Sequence, residues 1–389
     1  MAAGLTGTRF RWLRRGAWLA LRALPARRAA VVTGTPDDEG NSVEVVRALS
    51  GRLPVTWLVS DPPERVRWLL DGAADPGAVT LRDKSSWRGL AAYLRARYVF
   101  FTHGLYGSPQ PPPGRTFVNL WHGDGPKLRK GLADIRSTVT VAGTRAWGMR
   151  RAQHFNVGEA GVLVTGNPRI DQFTRPVDDE GLEVLGIDPC RPLVLWMPTF
   201  RATESDHRRL TPTLDWADAR ELSRQDEVRR LLTDVARLAR DLEVSLVVKP
   251  HPLDADQYTE VGLEVVTTEQ LRSARVGLYP LLGRSCGLLT DYSSVWTDYL
   301  ALDRPIGFFC PDLEDYAAGR GLNVPDYRAV APGPFLETAA DFEEFLLSCA
   351  HGLDRWRDLR REAVDSLGVE TRLGATERLL AALGLDAAV

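Results

Sequence analysis

The sequence predicts an α/β protein built as two doubly wound, parallel-sheet domains facing across a cleft, followed by C-terminal helices. Three observations carry that expectation. Short apolar runs alternate with helical patterns through most of the 389 residues, and strands spaced by helices build parallel sheets covered on both faces. The alternation stops in a polar, acidic, Pro-containing stretch at 171–191 and then restarts, as at an interdomain connection. The length also suits two or three domains at about 100–200 residues each.

In chain order, residues 1–28 form a basic amphipathic helix. Phe10, Leu13, Ala17, Leu21 and Leu24 recur at helical spacing. Strands follow at 29–33, 54–59, 78–81, 98–102, 116–120, 138–142 and 162–165, with helices at 43–50, 63–70, 85–96 and 144–154 between them. These make an N-terminal domain over 29–175. The restart gives strands at 193–197, 244–248, 263–267, 287–290 and 305–309, and a helix at 221–242 with Val228, Leu231, Val235 and Leu238 on one side. A second domain over 185–370 results. The end, 340–384, reads as mostly helical, and 371–389 is a terminal helix that returns to the first domain.

Charge sharpens the picture. Net charge is -2, which removes the global basic field of a nucleic-acid binder. Residues 1–30 nevertheless hold seven arginines and no acid, a +7 head on a -9 remainder. Two readings of that head stand. Residues 9–28 lie on an anionic membrane surface, or the helix packs on its own domain with its arginines in water. Arg22 interrupts the apolar run, so the head is no signal peptide, and no stretch reaches the roughly 18 apolar residues of a membrane span. The expected location is the cytoplasm, at the inner face of the membrane. Only four of the 49 basic residues are lysines, Lys84, Lys127, Lys130 and Lys249. Four cysteines without CxxC spacing point to reduced thiols, mostly buried, and away from structural zinc.

Ligands of doubly wound sheets sit at the carboxyl ends of strands, so the chemistry is sought there. His122 follows strand 116–120 and His251 follows strand 244–248, each beside a lysine, Lys127 and Lys249. Imidazole titrates near neutral pH and serves as acid or base. His103 also follows a strand and would line the same cleft, whereas His154, His207 and His351 read as solvent-facing. Thr290, Asp291, Ser293 and Ser294 end another strand, with Asp291 or Ser293 as N-cap of a helix starting near Ser293. Free amides and hydroxyls at such a turn bind anions. Thr199 and Arg201 follow strand 193–197, and Asn167 and Arg169 lie where the chain leaves the first domain. Together these groups would hold a diphosphate. No Walker A loop, GxGxxG after the first strand or HExxH is present.

These motifs, in this order, resemble a family. Trp121-His122-Gly123 with Pro126-Lys127, Gly166-Asn167-Pro168-Arg169, Pro198-Thr199-Phe200-Arg201, Lys249-Pro250-His251-Pro252 and Leu289-Thr290-Asp291-Tyr292-Ser293-Ser294 are followed by Asp303-Arg304-Pro305-Ile306, Asp312-Leu313-Glu314-Asp315-Tyr316 and Arg320-Gly321-Leu322. The set is similar to the CDP-glycerol glycerophosphotransferases of teichoic acid synthesis. The resemblance implies a GT-B fold, CDP-glycerol held mainly by the C-terminal domain, and transfer of glycerol phosphate to a hydroxyl of a lipid-linked or polymeric acceptor with release of CMP. It implies no cofactor and no catalytic metal, and it matches His122 and His251 to the family's two required histidines. The family usually has WHGTPLK, whereas Asp124-Gly125 here replaces the single Thr, adding a residue and a negative charge expected on the acceptor side. His251-Pro252-Leu253 stands where many members have His-Pro-His. The alternatives are a CDP-ribitol-type polyol-phosphate transferase, a sugar-nucleotide GT-B glycosyltransferase, and a polyanion-binding scaffold at the membrane.

Overall fold

The computed structural model describes residues 8–128, 135–155, 157–199, 219–250 and 255–386. The chain divides into two compact units. Unit 1 takes the described residues up to Asp124, those from 135 to Gln172 and those from Leu367 onward; unit 2 takes Gly125–Leu128 and Phe173–Ser366.

Unit 1 opens with α1 (Thr8–Ala23), β1 (Arg27–Thr33), α2 (Gly40–Leu49), β2 (Val55–Val59), α3 (Pro63–Val66), β3 (Val79–Asp83) and α4 (Trp87–Arg95). It continues through β4 (Ala96–Phe101), β5 (Thr116–Asn119), β6 (Val139–Ala142), α5 (Arg145–His154) and β7 (Val162–Val164). The seven strands are all parallel, in the order β3-β2-β1-β4-β5-β6-β7. Period-two alternation sorts their side chains onto two faces. Ala30, Val32, Trp57, Phe100 and Val118 join α2 in one buried cluster, while Val31, Leu58, Val99, Phe101 and Phe117 join Leu21 of α1 and Tyr93 of α4 in another. Apolar residues on both strand faces require helices on both faces, and the chain supplies them.

The basic head therefore packs on its own unit. Leu21 is 1% exposed, Arg14 Nε donates to the Gly107 carbonyl at 2.7 Å, and Arg115 donates to the Leu21, Leu24 and Ala96 carbonyls. Arg115 thus fastens the end of α1 to the end of α4. Arg15, Leu19 and Arg22 remain exposed on the outer side. No helix among the described residues is long and apolar enough to cross a membrane.

Unit 2 contains α6 (Asp179–Val184), β8 (Leu193–Met197), α7 (Ala219–Asp241), β9 (Ser245–Val248), α8 (Ala255–Glu260), β10 (Glu264–Val265), α9 (Thr268–Ser273), α10 (Leu278–Arg284) and β11 (Gly287–Thr290). After these come α11 (Val295–Tyr299), β12 (Ile306–Phe308), α12 (Leu313–Gly319), α13 (Ala339–His351) and α14 (Arg357–Leu367), whose last residue enters unit 1. The five parallel strands run β10-β9-β8-β11-β12. Val194, Trp196, Leu246, Val248 and Leu289 pack under α7 and α13. The final helix α15 (Ala375–Ala382) returns to unit 1, where Leu379 and Leu380 join the cluster around α2.

Both sheets have a topological switch point, where the strand order reverses: between β1 and β4 in unit 1, and between β8 and β11 in unit 2. Such crevices are the ligand positions of doubly wound sheets. None of the four cysteines is in a disulfide, and Cys349 is the buried one. The expectation that most are buried is corrected, since Cys190 is exposed and Cys286 and Cys310 are half-buried.

Candidate active site

In unit 1, β5 ends on a turn that the sequence makes unusually well defined. Asn119 Oδ1 accepts from the Trp121 amide at 3.0 Å, and Trp121 takes a left-handed φ of 55°. That conformation is costly for a large residue, and burial offsets it: the indole is 4% exposed, against Phe155 and under the Arg151 guanidinium. The next three carbonyls are each held by a side chain from a different element. Asn41 Nδ2, near the start of α2, donates to the Trp121 carbonyl at 3.2 Å. Arg169 Nη1 donates to the His122 carbonyl at 2.9 Å. Arg151 Nη2, from α5, donates to the Gly123 carbonyl at 2.9 Å.

Arg169 is itself located by Glu39, 3.5 Å away, and by its own amide on Asn41 Oδ1 at 3.1 Å. Glu39 is the N-cap of α2. The His122 backbone is thereby fixed from α2, α5 and the segment after β7. Its ring lies against Trp121 at 3.9 Å and stacks on His103 at 4.7 Å.

Asp124 corrects an expectation. Its extra charge does not face an acceptor: the side chain is 0% exposed. Oδ2 accepts from the Gly143 and Thr144 amides at 2.6 and 2.9 Å, where α5 begins, and Arg151 pairs with the other oxygen. A carboxylate at a helix start beside a guanidinium is electrostatically satisfied.

Unit 2 receives the continuation of the same motif. Lys127 forms an antiparallel bridge to Leu322, the Leu128 amide donates to the Gly321 carbonyl at 3.0 Å, and Asn323 Nδ2 donates to the Gly125 and Lys127 carbonyls at 3.1 and 2.9 Å. Gly125 lies so close to the end of β11 that a Cβ there would meet Ser294 Cβ at 2.7 Å and Cα at 3.0 Å. Glycine is the residue this approach admits.

The unit 2 switch point is bridged by hydrogen bonds. Asp291, 1% exposed, accepts from the Thr199 amide and hydroxyl, the latter at 2.6 Å, and from the Ser293 amide at 3.2 Å. Thr290 Oγ1 donates to the Met197 carbonyl at 2.8 Å. Beneath them the Tyr292 ring stacks on Tyr316 at 3.9 Å. The expected cap shifts by one residue: Ser294 is the N-cap of α11, without a side-chain cap bond, because Asp291 is engaged with Thr199. Ser293 and Ser294 are half-buried.

Lys249 Nζ donates to Thr268 Oγ1 at 3.0 Å. Asn167 and Arg169 are both buried in unit 1. His251 and Arg201 lie outside the described residues, as do His207 and Lys130. Of the other histidines, His351 is exposed as expected, while His154 is half-buried, with its Nδ1 2.9 Å from the Arg150 carbonyl.

Several supporting residues had no sequence signal of their own. Glu39 caps α2 and Asn41 lies in its first turn, ahead of the 43–50 stretch that the apolar pattern marks as helix. Asn323 is one residue beyond the Arg320-Gly321-Leu322 motif. Lys84 also gains a context: its Nζ donates to Asp37 Oδ1 at 2.7 Å and to the Gly34 carbonyl at 2.6 Å, latching the end of β3 to the β1–α2 turn.

A family model described as CDP-Glycerol:Poly(glycerophosphate) glycerophosphotransferase matches residues 43–381. The teichoic acid ribitol-phosphate primase of Bacillus spizizenii (strain ATCC 23059 / NRRL B-14472 / W23) is 31% identical over 188 residues, 47% of this chain and 43% of the relative. The teichoic acid glycerol-phosphate transferase of Staphylococcus aureus (strain NCTC 8325 / PS 47) is 28% identical over 265 residues, 60% of this chain and 61% of the relative. The chain thus spans less than two thirds of either relative's length. The solved structure of the wall teichoic acid polymerase TagF superposes with a TM-score of 0.68 at 17% identity, covering 97% of this chain and 93% of that one. The fold is α/β and GT-B-like.

Proposed function

The chain belongs to the CDP-glycerol:poly(glycerophosphate) glycerophosphotransferase family, and on that premise we propose that it moves glycerol phosphate from CDP-glycerol to a hydroxyl of a lipid-linked or polymeric acceptor, releasing CMP. The acceptor oxygen attacks the phosphorus that bears glycerol. The new O–P bond forms as the bond from that phosphorus to the CMP oxygen breaks. Such transfers depend on positioning and on charge neutralisation more than on covalent chemistry.

The observation that carries the reading is the fixing of His122 through three consecutive carbonyls. A general base gains most from being held in place, and His122 would take the acceptor proton. Asn41, Arg169 and Arg151 would position it. Ser293 and Ser294, with Lys127 and Lys249, would hold the diphosphate; Thr199, Thr290 and Asp291 shape that turn. His251 and Arg201 take the same charge-stabilising role from the resemblance. With these cations in place the reaction calls for no catalytic metal. Residues 9–28 would set the protein on the anionic inner face of the membrane, where Arg15, Leu19 and Arg22 are exposed to meet it.

A CDP-ribitol donor is the second reading, favoured by the 31% identity to a ribitol-phosphate primase. One assay tests both. The purified protein is given CDP-glycerol, CDP-ribitol, UDP-sugars and GDP-sugars with a lipid-linked acceptor, and CMP, UMP and UDP are quantified. CMP release from a CDP-polyol is expected, and release from sugar nucleotides alone would sink the proposal. His122→Gln should lower CMP release at least about 100-fold, with CDP-glycerol binding retained by calorimetry.

A further inference from the structure

Two imidazoles share the carboxyl edge of the unit 1 sheet. β4 and β5 are parallel neighbours with Phe101 opposite Asn119, so His103 and His122 leave adjacent strands at the same edge. Their rings stand face to face, 4.7 Å between centroids with 3° between planes. Trp121 flanks both, at 3.9 Å from His122 and 6.1 Å from His103. His103 is anchored beside the switch point: its Nδ1 is 3.1 Å from Thr102 Oγ1, which accepts from the Thr35 amide at 3.1 Å.

Stacked rings do not exchange a hydrogen bond, so no shared proton offsets their repulsion when both are charged. A second proton would put two like charges within 5 Å of each other, which disfavours the doubly charged pair and splits the titration into two steps. The charged groups packed around the pair come largely as partners. Arg169, on the His122 carbonyl, faces Glu39. Arg151, over Trp121, pairs with Asp124. Lys84 pairs with Asp37 under the turn that carries Thr35. With those charges paired, the ring contacts decide the order: His103 has a hydroxyl oxygen 3.1 Å from its Nδ1, Thr102 Oγ1, able to accept from the N–H of the charged ring.

We propose that His103 is a positioning residue for the base: it takes the first proton of the pair and so keeps His122 neutral at a pH where a solitary histidine would already be charged. The consequence for turnover rests on the transferase reading above.

The test is His103→Gln, with His103→Asn as a second neutral replacement. The pH dependence of kcat/KM for CMP release gives one readout, and the ring-proton NMR titration of His122, assigned with His122→Gln, gives another. In the wild type the acid limb and the His122 midpoint should lie below the ordinary value of about 6.5. In both His103 variants they should move up by about one pH unit. An unmoved or downward-moving His122 midpoint overturns the proposal. If the wild type releases no CMP from any CDP-polyol, the transferase reading fails, and the NMR midpoints still decide the histidine pair.

Discussion

Asp124 and Gly125 show how far single residues can be read. The sequence marks them as a departure from WHGTPLK, and an added carboxylate suggests altered acceptor contacts. Burial decides otherwise, because the charge is taken up by Arg151 and two backbone amides. Asp124→Asn should therefore act on stability: a buried guanidinium left unpaired costs about 3–5 kcal/mol, measurable as a lower urea midpoint. Gly125→Ala should act on the donor instead. Its methyl would push the Ser294 backbone, and CDP-glycerol affinity by calorimetry should fall by roughly tenfold. The urea midpoint should fall by less than in Asp124→Asn, since such overpacking costs about 1–3 kcal/mol. His122 was legible because its strand and its glycine are local signals. Asn41 was not, because its role depends on a carbonyl 80 residues away, and no local pattern encodes that meeting.

At the scale of elements, apolar runs locate strands well where both faces are buried. β4 and β5 have both faces packed, and the sequence finds them within two residues. The expected strand at 263–267 shrinks to Glu264–Val265, since it is the edge of its sheet and has one neighbour. The junction between α13 and α14 depends on an ion cluster that periodicity does not reveal. Arg360, buried, binds Asp354 and Asp303. Burial pushes the Asp354 carboxyl up, but the hydrogen bonds and charge of Arg360 outweigh it and hold it below the usual range. A depressed carboxylate contributes stability above its unfolded value of about 3.9 and loses it as pH falls through the folded value. Arg360→Leu should lower Tm at pH 7, and the gap from wild type should narrow below about pH 4; a gap that stays constant with pH would refute the assignment.

For the whole molecule, the break at 171–191 was legible as polar composition, and the change of unit falls between Gln172 and Phe173. The excursion of Gly125–Leu128 into unit 2 was not. A four-residue crossing has no compositional signature and is made by hydrogen bonds to Gly321 and Asn323. The charge asymmetry was visible from the start, and the structure adds that α1 uses Leu21 inward while Leu19, Arg15 and Arg22 face out. The protein should co-float with anionic vesicles, less so as salt rises. A combined Arg15→Glu, Leu19→Glu, Arg22→Glu variant should lose that binding without a shift in Tm, and equal flotation on neutral vesicles would argue against a charge-led attachment.

The latch between Lys84 and Asp37 has a practical consequence for handling the protein. With four lysines in 389 residues, amine-directed reagents have few targets, and Lys84 is shielded by two short hydrogen bonds. Lys249 is likewise hydrogen-bonded, to Thr268 Oγ1, and Lys127, Lys130 and Lys249 all lie within the two histidine motifs or next to them. Immobilisation by amines risks modifying the site it is meant to present, and a cysteine-directed tether at exposed Cys190 leaves those lysines untouched.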